Sequence, residues 1–168
     1  SIISELMPGP MAPGALGFRQ TFPANLLTSS SVMVIDAVAS SDPSGVVVAD
    51  VNGDGRLEVI YTQSNGNVVT VLHQQSSGTF VSASYVVGAN PVGVLTGDFY
   101  NDGFIDIATG NSGSDNVTLL RNQGNGTFVT SATVSVGDGP QSIVSGDFDN
   151  DGNLDIATAN LNSNNVTI

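Results

Sequence analysis

Short apolar runs alternate with polar turns along most of this chain. The runs are rich in Val, Ile, Leu and Thr, which favour strands, whereas the turns are rich in Asn, Gly and Ser. From about residue 44 the pattern recurs with a long period, and no window shows the roughly 3.6-residue period of an amphipathic helix. The pattern therefore predicts an all-β chain that is built of repeats.

Each repeat predicts four antiparallel strands. The first strand enters an acidic turn, the second leaves it, the third follows a polar turn, and the fourth opens on Gly-Thr-Phe-Val. The first and second strands are predicted at Val46–Ala49 and Leu57–Thr62, Val92–Gly97 and Phe104–Thr109, and Ser142–Gly146 and Leu154–Ala159. The third and fourth are predicted at Asn67–His73 and Gly78–Val87, Asn116–Asn122 and Gly126–Val136, with Asn165–Ile168 third in the last repeat. Four strands in about 48 residues are typical of one propeller blade.

The predicted repeats span residues 44–89, 90–138 and 139–168. The third repeat reaches Ile168 inside its third strand and has no Gly-Thr-Phe segment. We therefore expect two complete blades and an incomplete third. Because propellers typically have four to eight blades, we expect these repeats to form an open propeller and not a closed ring.

Residues 1–43 do not match the repeat and form an N-terminal segment of their own. Three prolines between Pro8 and Pro13 predict an extended start. Two β-prone segments follow, Phe18–Phe22 and Val32–Val38. These segments are compatible with two roles. They could form ordinary strands of the chain's own sheet, or one of them could be a donor strand that completes a blade in another copy.

The acidic turn of each repeat is a candidate metal loop. Nine-residue runs start at Asp50, Asp98 and Asp147, 48 and 49 residues apart, with carboxylates at positions 1, 5 and 9 and Gly at position 6. Calcium takes six to eight oxygen ligands at flexible angles, and alternate side chains around a tight turn deliver them. The glycines at position 6 allow the positive φ that folds the loop back; they are Gly55, Gly103 and Gly152.

The candidate ligands come from positions 1, 3, 5 and 9 and from the backbone carbonyl of position 7. They are Asp50, Asn52, Asp54, Arg56 (carbonyl) and Glu58; Asp98, Asp102, Phe104 (carbonyl) and Asp106; and Asp147, Asp149, Asp151, Asn153 (carbonyl) and Asp155. An EF-hand is excluded, because position 12 is not Glu and strands flank the loop. The alternative for every loop is that Asp, Asn and Gly simply make good turns.

The middle loop departs from the other two, because Tyr100 stands at position 3 and removes one side-chain oxygen of the usual kind. We expect calcium at the first and third loops. We expect the middle site to be weaker, completed by water, or empty.

Three segments carry a resemblance to a known family: Asp-Val-Asn-Gly-Asp-Gly-Arg-Leu-Glu, Gly-Asp-Phe-Asp-Asn-Asp-Gly-Asn-Leu-Asp-Ile-Ala, and Gly-Asn-Gly-Thr-Phe. They resemble FG-GAP (VCBS-type) repeats, the blades of integrin-like β-propellers, over about residues 44–168. The resemblance implies calcium in the loop between the first and second strands of a blade. It places that calcium at Asp50, Asn52, Asp54 and Glu58, and at Asp147, Asp149, Asp151 and Asp155.

The charge of the chain argues against polyanionic partners. The formal net charge is −12, and ten of the fifteen acidic residues lie in the three loops, where a cation would neutralise them. Nucleic acids and anionic membrane surfaces need a basic footprint, so we expect neither as a partner. No apolar stretch approaches the roughly 18 residues of a membrane span.

The residues favour a protein without catalytic activity. His73 is the only histidine, and a surface or sheet-edge position accounts for it better than a catalytic one. No nucleophile elbow or P-loop is present. The carboxylates could serve as a glycosidase pair, but their repetition in the same turn is better explained by calcium.

We therefore expect an extracellular, calcium-stabilised structural or adhesive protein that assembles with copies of itself into a filament or ring by strand complementation. Outside cells calcium is plentiful, and three Asn-x-Thr sequons are candidate glycosylation sites, at Asn116, Asn125 and Asn165. Two alternatives remain: a glycan- or protein-binding module, and a fragment of a larger propeller of about seven blades.

Overall fold

The fold is known from a computed structural model that describes residues 18–21, 32–35 and 42–168. These residues form thirteen β-strands and no helix, which confirms the all-β class. It follows that the described part of the chain contains no helix long and apolar enough to cross a membrane. The chain divides into two compact units, Ser1–Ala39 and Ser40–Ile168.

The first unit contains a two-stranded antiparallel sheet. Strand β1 (Phe18–Thr21) pairs with β2 (Val32–Ile35), and Phe18 lies opposite Ile35. These strands coincide with the two β-prone segments, which pair with each other. The predicted extended start and the ends of both segments lie outside the described residues.

The second unit contains three antiparallel sheets, one for each predicted repeat, and in each sheet the strand order follows the chain. We call them the first, second and third blades. The first contains β3 (Pro43–Ala49), β4 (Glu58–Gln63), β5 (Val68–Gln74) and β6 (Phe80–Val86). The second contains β7 (Pro91–Gly97), β8 (Asp106–Asn111), β9 (Asn116–Asn122) and β10 (Phe128–Ser135). The third contains β11 (Pro140–Gly146), β12 (Asp155–Asn160) and β13 (Asn165–Thr167).

The blades meet through their first strands, β3 beside β7 and β7 beside β11. Each of these strands begins with a proline followed by a register shift, and proline is tolerated at the first residue of a strand. At Gly93 the second and third blades approach so closely that an added Cβ would lie 2.8 Å from Ile143 Cγ2. Glycine at this position therefore permits the observed packing distance.

Two apolar clusters hold the blades together. The larger lies between the first and second blades and is formed by Val51, Ile60, Val69, Val71, Val94, Ile107, Leu120 and Phe128. The smaller lies between the second and third blades and is formed by Leu95, Ala108, Val117 and Ile143. Because each blade uses one face for each neighbour, the three blades form a stack.

The far face of the third blade carries large exposed apolar side chains. Val144, Phe148, Val166 and Ile168 are 54%, 47%, 65% and 77% exposed. In the second blade the corresponding side chains belong to the smaller apolar cluster or pack against it; they are Leu95, Phe99, Val117 and Leu119. We call this surface of the third blade the open face, because the same positions are covered one blade earlier.

A buried amide ties the first blade to the second. Asn122 is 3% exposed. Its Nδ2 donates to the carbonyl oxygens of Val51 (2.7 Å) and Ile105 (2.9 Å). Its Oδ1 accepts from the backbone N–H groups of Gly124 (2.9 Å) and Gly126 (3.1 Å). The amide therefore has a partner for each of its two N–H groups and two acceptor sites, and one of the four partners, the Val51 carbonyl, belongs to the first blade.

One extra residue explains why the acidic runs are 48 and then 49 residues apart. In β10 the pairing with β9 shifts between Thr130 and Ala132, so that Ser131 has no partner in the register. The pairing of β6 with β5 in the first blade is continuous. Ser131 is thus the inserted residue, and the sheet absorbs it as a β-bulge.

Candidate metal centre

The three acidic loops share one backbone frame. The carboxylate at position 1 accepts from the N–H groups of positions 5 and 6: at 3.2 and 2.8 Å for Asp50, 3.0 and 2.8 Å for Asp98, and 3.1 and 3.0 Å for Asp147. The bond from the Gly55 N–H is the main cause that lowers the pKa of the Asp50 carboxyl. Each loop is therefore closed by its own first carboxylate, whatever it binds.

Two further bonds recur in every loop. The aspartate at position 5 accepts from the N–H of position 7, at 2.9, 3.1 and 2.8 Å in chain order. The carboxylate at position 9 accepts from the N–H of position 2, at 3.0, 3.0 and 2.9 Å. These bonds use one lone pair of each acceptor oxygen, and a carboxylate has about four lone-pair sites, so acceptor capacity remains for a cation.

Two left-handed residues give each loop its curvature. Position 6 is glycine, with φ of 83°, 84° and 89° in the three loops, as the sequence predicts. Position 4 is also left-handed, at Gly53 (74°), Asn101 (51°) and Asn150 (62°). Asparagine is among the residues that tolerate this region, so position 4 is a turn signal that the sequence analysis missed.

The third loop brings three carboxylates together. One oxygen from each of Asp147, Asp149 and Asp151 lies within 4.8 Å of the others. Asp149 Oδ1 also accepts from the Asp151 N–H at 3.1 Å. The bond from the Asn153 N–H is the main cause that lowers the pKa of Asp151. The predicted ligand Asp155 lies outside this group.

The third loop is open to solvent and its oxygens converge, so the residues fit a hard divalent cation. In the described part of the chain no other three acidic residues are grouped in this way.

The first loop offers an oxygen at position 3 and an unpaired buried carboxylate oxygen. Asn52 Oδ1 accepts from the Asp54 N–H at 3.0 Å. Glu58 is fully buried, and its Oε1 accepts no hydrogen bond from the described residues. A buried acceptor without a partner is costly, and a cation would relieve that cost. The Arg56 side chain forms an ion pair with Asp54 and donates to the Gln74 carbonyl at 3.1 Å. The first loop therefore offers oxygens to a cation, but Asp50, Asp54 and Glu58 are not grouped as the carboxylates of the third loop are, and Arg56 already binds Asp54.

The middle loop is filled differently. Arg121 on β9 donates to Asp102 Oδ2 from Nε (3.2 Å) and from Nη2 (2.8 Å). Its guanidinium carbon lies 4.7 Å from the centroid of the Tyr100 ring. The Tyr100 hydroxyl is hydrogen-bonded to Ser131 Oγ. The Arg121 bond is the main cause that lowers the pKa of Asp102.

In the position-9 carboxylate of the middle loop, both oxygens accept hydrogen bonds. Asp106 accepts from the N–H groups of Asn122 (2.8 Å) and Phe99 (3.0 Å), and burial raises its pKa. The middle loop lacks a carboxylate or amide oxygen at position 3, and a guanidinium already binds its position-5 carboxylate. Its residues do not fit a calcium ion.

The remaining candidate residues are His73 and the three sequon asparagines. His73 on β5 is partly buried, and its Cε1 would lie 3.1 Å from a Cβ added at Gly126. Among the sequon asparagines, Asn125 and Asn165 are exposed. Asn116 is partly buried and accepts from Asn111 Nδ2 at 2.8 Å.

Comparison with known proteins supports the repeat architecture. The family model described as FG-GAP-like repeat matches residues 50–109 and 98–158, which together exceed half of the chain. A solved structure of a functionally unknown protein from Desulfotomaculum acetoxidans is similar, with 17% identity and a TM-score of 0.57. The match covers 90% of this chain and 47% of that one, so the chain spans about half the length of this neighbour. No curated protein matches the sequence.

Proposed function

Since this chain belongs to the FG-GAP-like repeat family, we propose that it is a calcium-stabilised structural or adhesive module without catalytic activity. The observation that carries the proposal is the group of three carboxylates in the third loop, Asp147, Asp149 and Asp151. Exposed acidic groups occur without metal, but here they converge at a loop where the family resemblance implies calcium. The third loop would hold one ion and the first loop a second, through Asp50, Asn52, Asp54 and Glu58.

The proposed role of calcium is to stabilise the blades. Each loop connects the first and second strands of its blade, and neutralising clustered carboxylates removes repulsion inside the connection. Sites of this kind in extracellular modules bind with dissociation constants of about 10⁻⁴–10⁻³ M. We propose that the protein acts outside cells, where calcium is plentiful enough to fill sites of this affinity.

Calorimetric titration of calcium into chelator-treated protein tests the metal sites. The Asp147→Asn/Asp151→Asn variant should lose one bound ion, because it removes two of the three converging carboxylates. Asp138→Asn removes one negative charge outside the three loops, just before the third repeat, and should keep the stoichiometry. A wild-type protein that binds no calcium at millimolar concentration would refute the proposal.

We propose further that the module assembles with other copies of itself. The support is the open face of the third blade, where Val144, Phe148, Val166 and Ile168 are exposed although the corresponding side chains of the second blade are covered. Exposed apolar patches of this kind mark surfaces for docking.

Electron microscopy with and without calcium tests assembly. Filaments or rings, lost in a Phe148→Ser/Val166→Thr variant of the open face, would support it. Dispersed particles that bind a glycan array would favour the binding-module alternative. Dispersed particles that bind nothing would point to a fragment of a larger propeller.

A further inference from the structure

We infer that the middle loop does not use calcium and that the Arg121 guanidinium is its resident counter-cation. Only the comparison with the first and third loops rests on the proposed function. The middle loop has the same backbone frame as the others, with Asp98 accepting from the N–H groups of Asp102 (3.0 Å) and Gly103 (2.8 Å). The difference between the loops therefore lies in the side chains.

The positive charge of Arg121 lies at the position-5 carboxylate of the middle loop. Two nitrogens of Arg121 reach the same oxygen of Asp102, at 3.2 and 2.8 Å. Arg121 comes from β9, 19 residues further along the chain, so its approach depends on the sheet and not on the loop. A charge-assisted bond of this kind is short and directional. A calcium ion at the same carboxylate would have to displace the guanidinium or lie beside a like charge.

Tyr100 both changes position 3 and contacts the arginine. It replaces the carboxylate or amide oxygen of the other loops, and its ring centroid lies 4.7 Å from the guanidinium carbon of Arg121. This distance is within the roughly 6 Å range of a cation–π interaction. One residue therefore both removes a ligand for calcium and provides a surface for a cation from the protein.

The inserted residue Ser131 anchors the tyrosine. The Tyr100 hydroxyl is hydrogen-bonded to Ser131, the bulge residue that makes the second repeat one residue longer. Ser131 Oγ also bonds the Leu119 carbonyl at 3.1 Å. The extra residue, the aromatic substitution and the arginine thus meet at one place. Neither outer loop combines them, since position 3 is Asn52 in the first loop and Asp149 in the third. In the first blade, His73 also occupies the register position of Arg121.

The first loop also contains an arginine, but the arrangement differs. Arg56 belongs to the loop itself, and Asn52 keeps the position-3 oxygen there. Glu58 Oε1 still has no partner in the part of the chain that the structure describes, whereas both oxygens of Asp106 are engaged. Only the middle loop combines a lost ligand, a fully engaged position-9 carboxylate and a cation from another strand.

The test is to convert the middle loop into a metal loop. The Tyr100→Asn/Arg121→Gln variant restores the position-3 oxygen and removes the resident charge. Calorimetric titration should show one more bound calcium than the wild type. The single variant Asp102→Asn should bind as many calcium ions as the wild type. Loss of an ion in Asp102→Asn, or no gain in a double variant with a native far-ultraviolet spectrum, would overturn the inference.

A second measurement does not depend on calcium at the outer loops. In excess chelator, Arg121→Gln should lower the melting temperature by about 2–4 °C, because an ion pair and a cation–π contact are lost together. His73→Gln, at the equivalent register position of the first blade, is the matched control and should change it less. An unchanged melt of Arg121→Gln would count against a stabilising role of the guanidinium. If the first and third loops bind no calcium while this shift is observed, the proposed function fails and the inference about Arg121 stands.

Discussion

Removal of the Asn122 amide should destabilise the stack of the first two blades. The side chain makes four hydrogen bonds at 2.7–3.1 Å; those to Val51 and Gly126 are buried, and those to Ile105 and Gly124 are partly buried. A hydrogen bond contributes about 1 kcal/mol net, and a buried group left without a partner costs about 1–3 kcal/mol. Asn122→Ala removes all four bonds, so we expect a loss of about 4 kcal/mol in the free energy of unfolding. That is a large part of the roughly 5–15 kcal/mol of a typical domain.

Urea denaturation followed by far-ultraviolet circular dichroism measures this loss. With a slope of about 2 kcal/mol per molar urea, the midpoint should fall by about 2 M. Asn125→Ala is the matched control, because Asn125 lies in the same turn, is exposed, and bonds only Thr127 in the described part of the chain. The control should change the free energy of unfolding by less than about 1 kcal/mol. Equal effects of the two substitutions would show that the amide between the blades does not stabilise the stack.

Three other results are expected. Gly93→Ala should destabilise by about 1–3 kcal/mol in the same assay, since its Cβ would lie 2.8 Å from Ile143 Cγ2; Ser142→Ala is the control, and a neutral Gly93→Ala would contradict the close approach. Excess chelator should lower the melting temperature by several degrees if calcium holds the outer loops, and an unchanged melt with metal confirmed absent would contradict this. Phe148→Ser should weaken self-association in sedimentation velocity without changing the spectrum, because that side chain is 47% exposed on the open face; an unaltered sedimentation profile would argue against the open face as the contact.

Features with a local physical cause were predictable from the sequence. The strands follow from apolar runs, and every predicted strand of the repeats has a counterpart within a few residues. The second strands begin one or two residues later than predicted, at Glu58, Asp106 and Asp155. The glycine at position 6 was predictable because the turn requires a positive φ there.

Features that join distant residues were not predictable in the same way. Tyr100 marked the middle loop as different, but Arg121 contacts Asp102 only because β9 runs beside the loop. The role of Ser131 depends on where the sheet places an inserted residue, which a spacing of 49 residues does not show.

The sequence by itself determined the repeat, the strands and the acidic turns, because these depend on residues near each other in the chain. The tertiary structure decided which turn gathers three carboxylates, which already holds a guanidinium, and how Asn122 joins Val51 across 71 residues. Each of these depends on the distance between side chains from different strands. That distance is set by how the blades stack, and no local pattern encodes it.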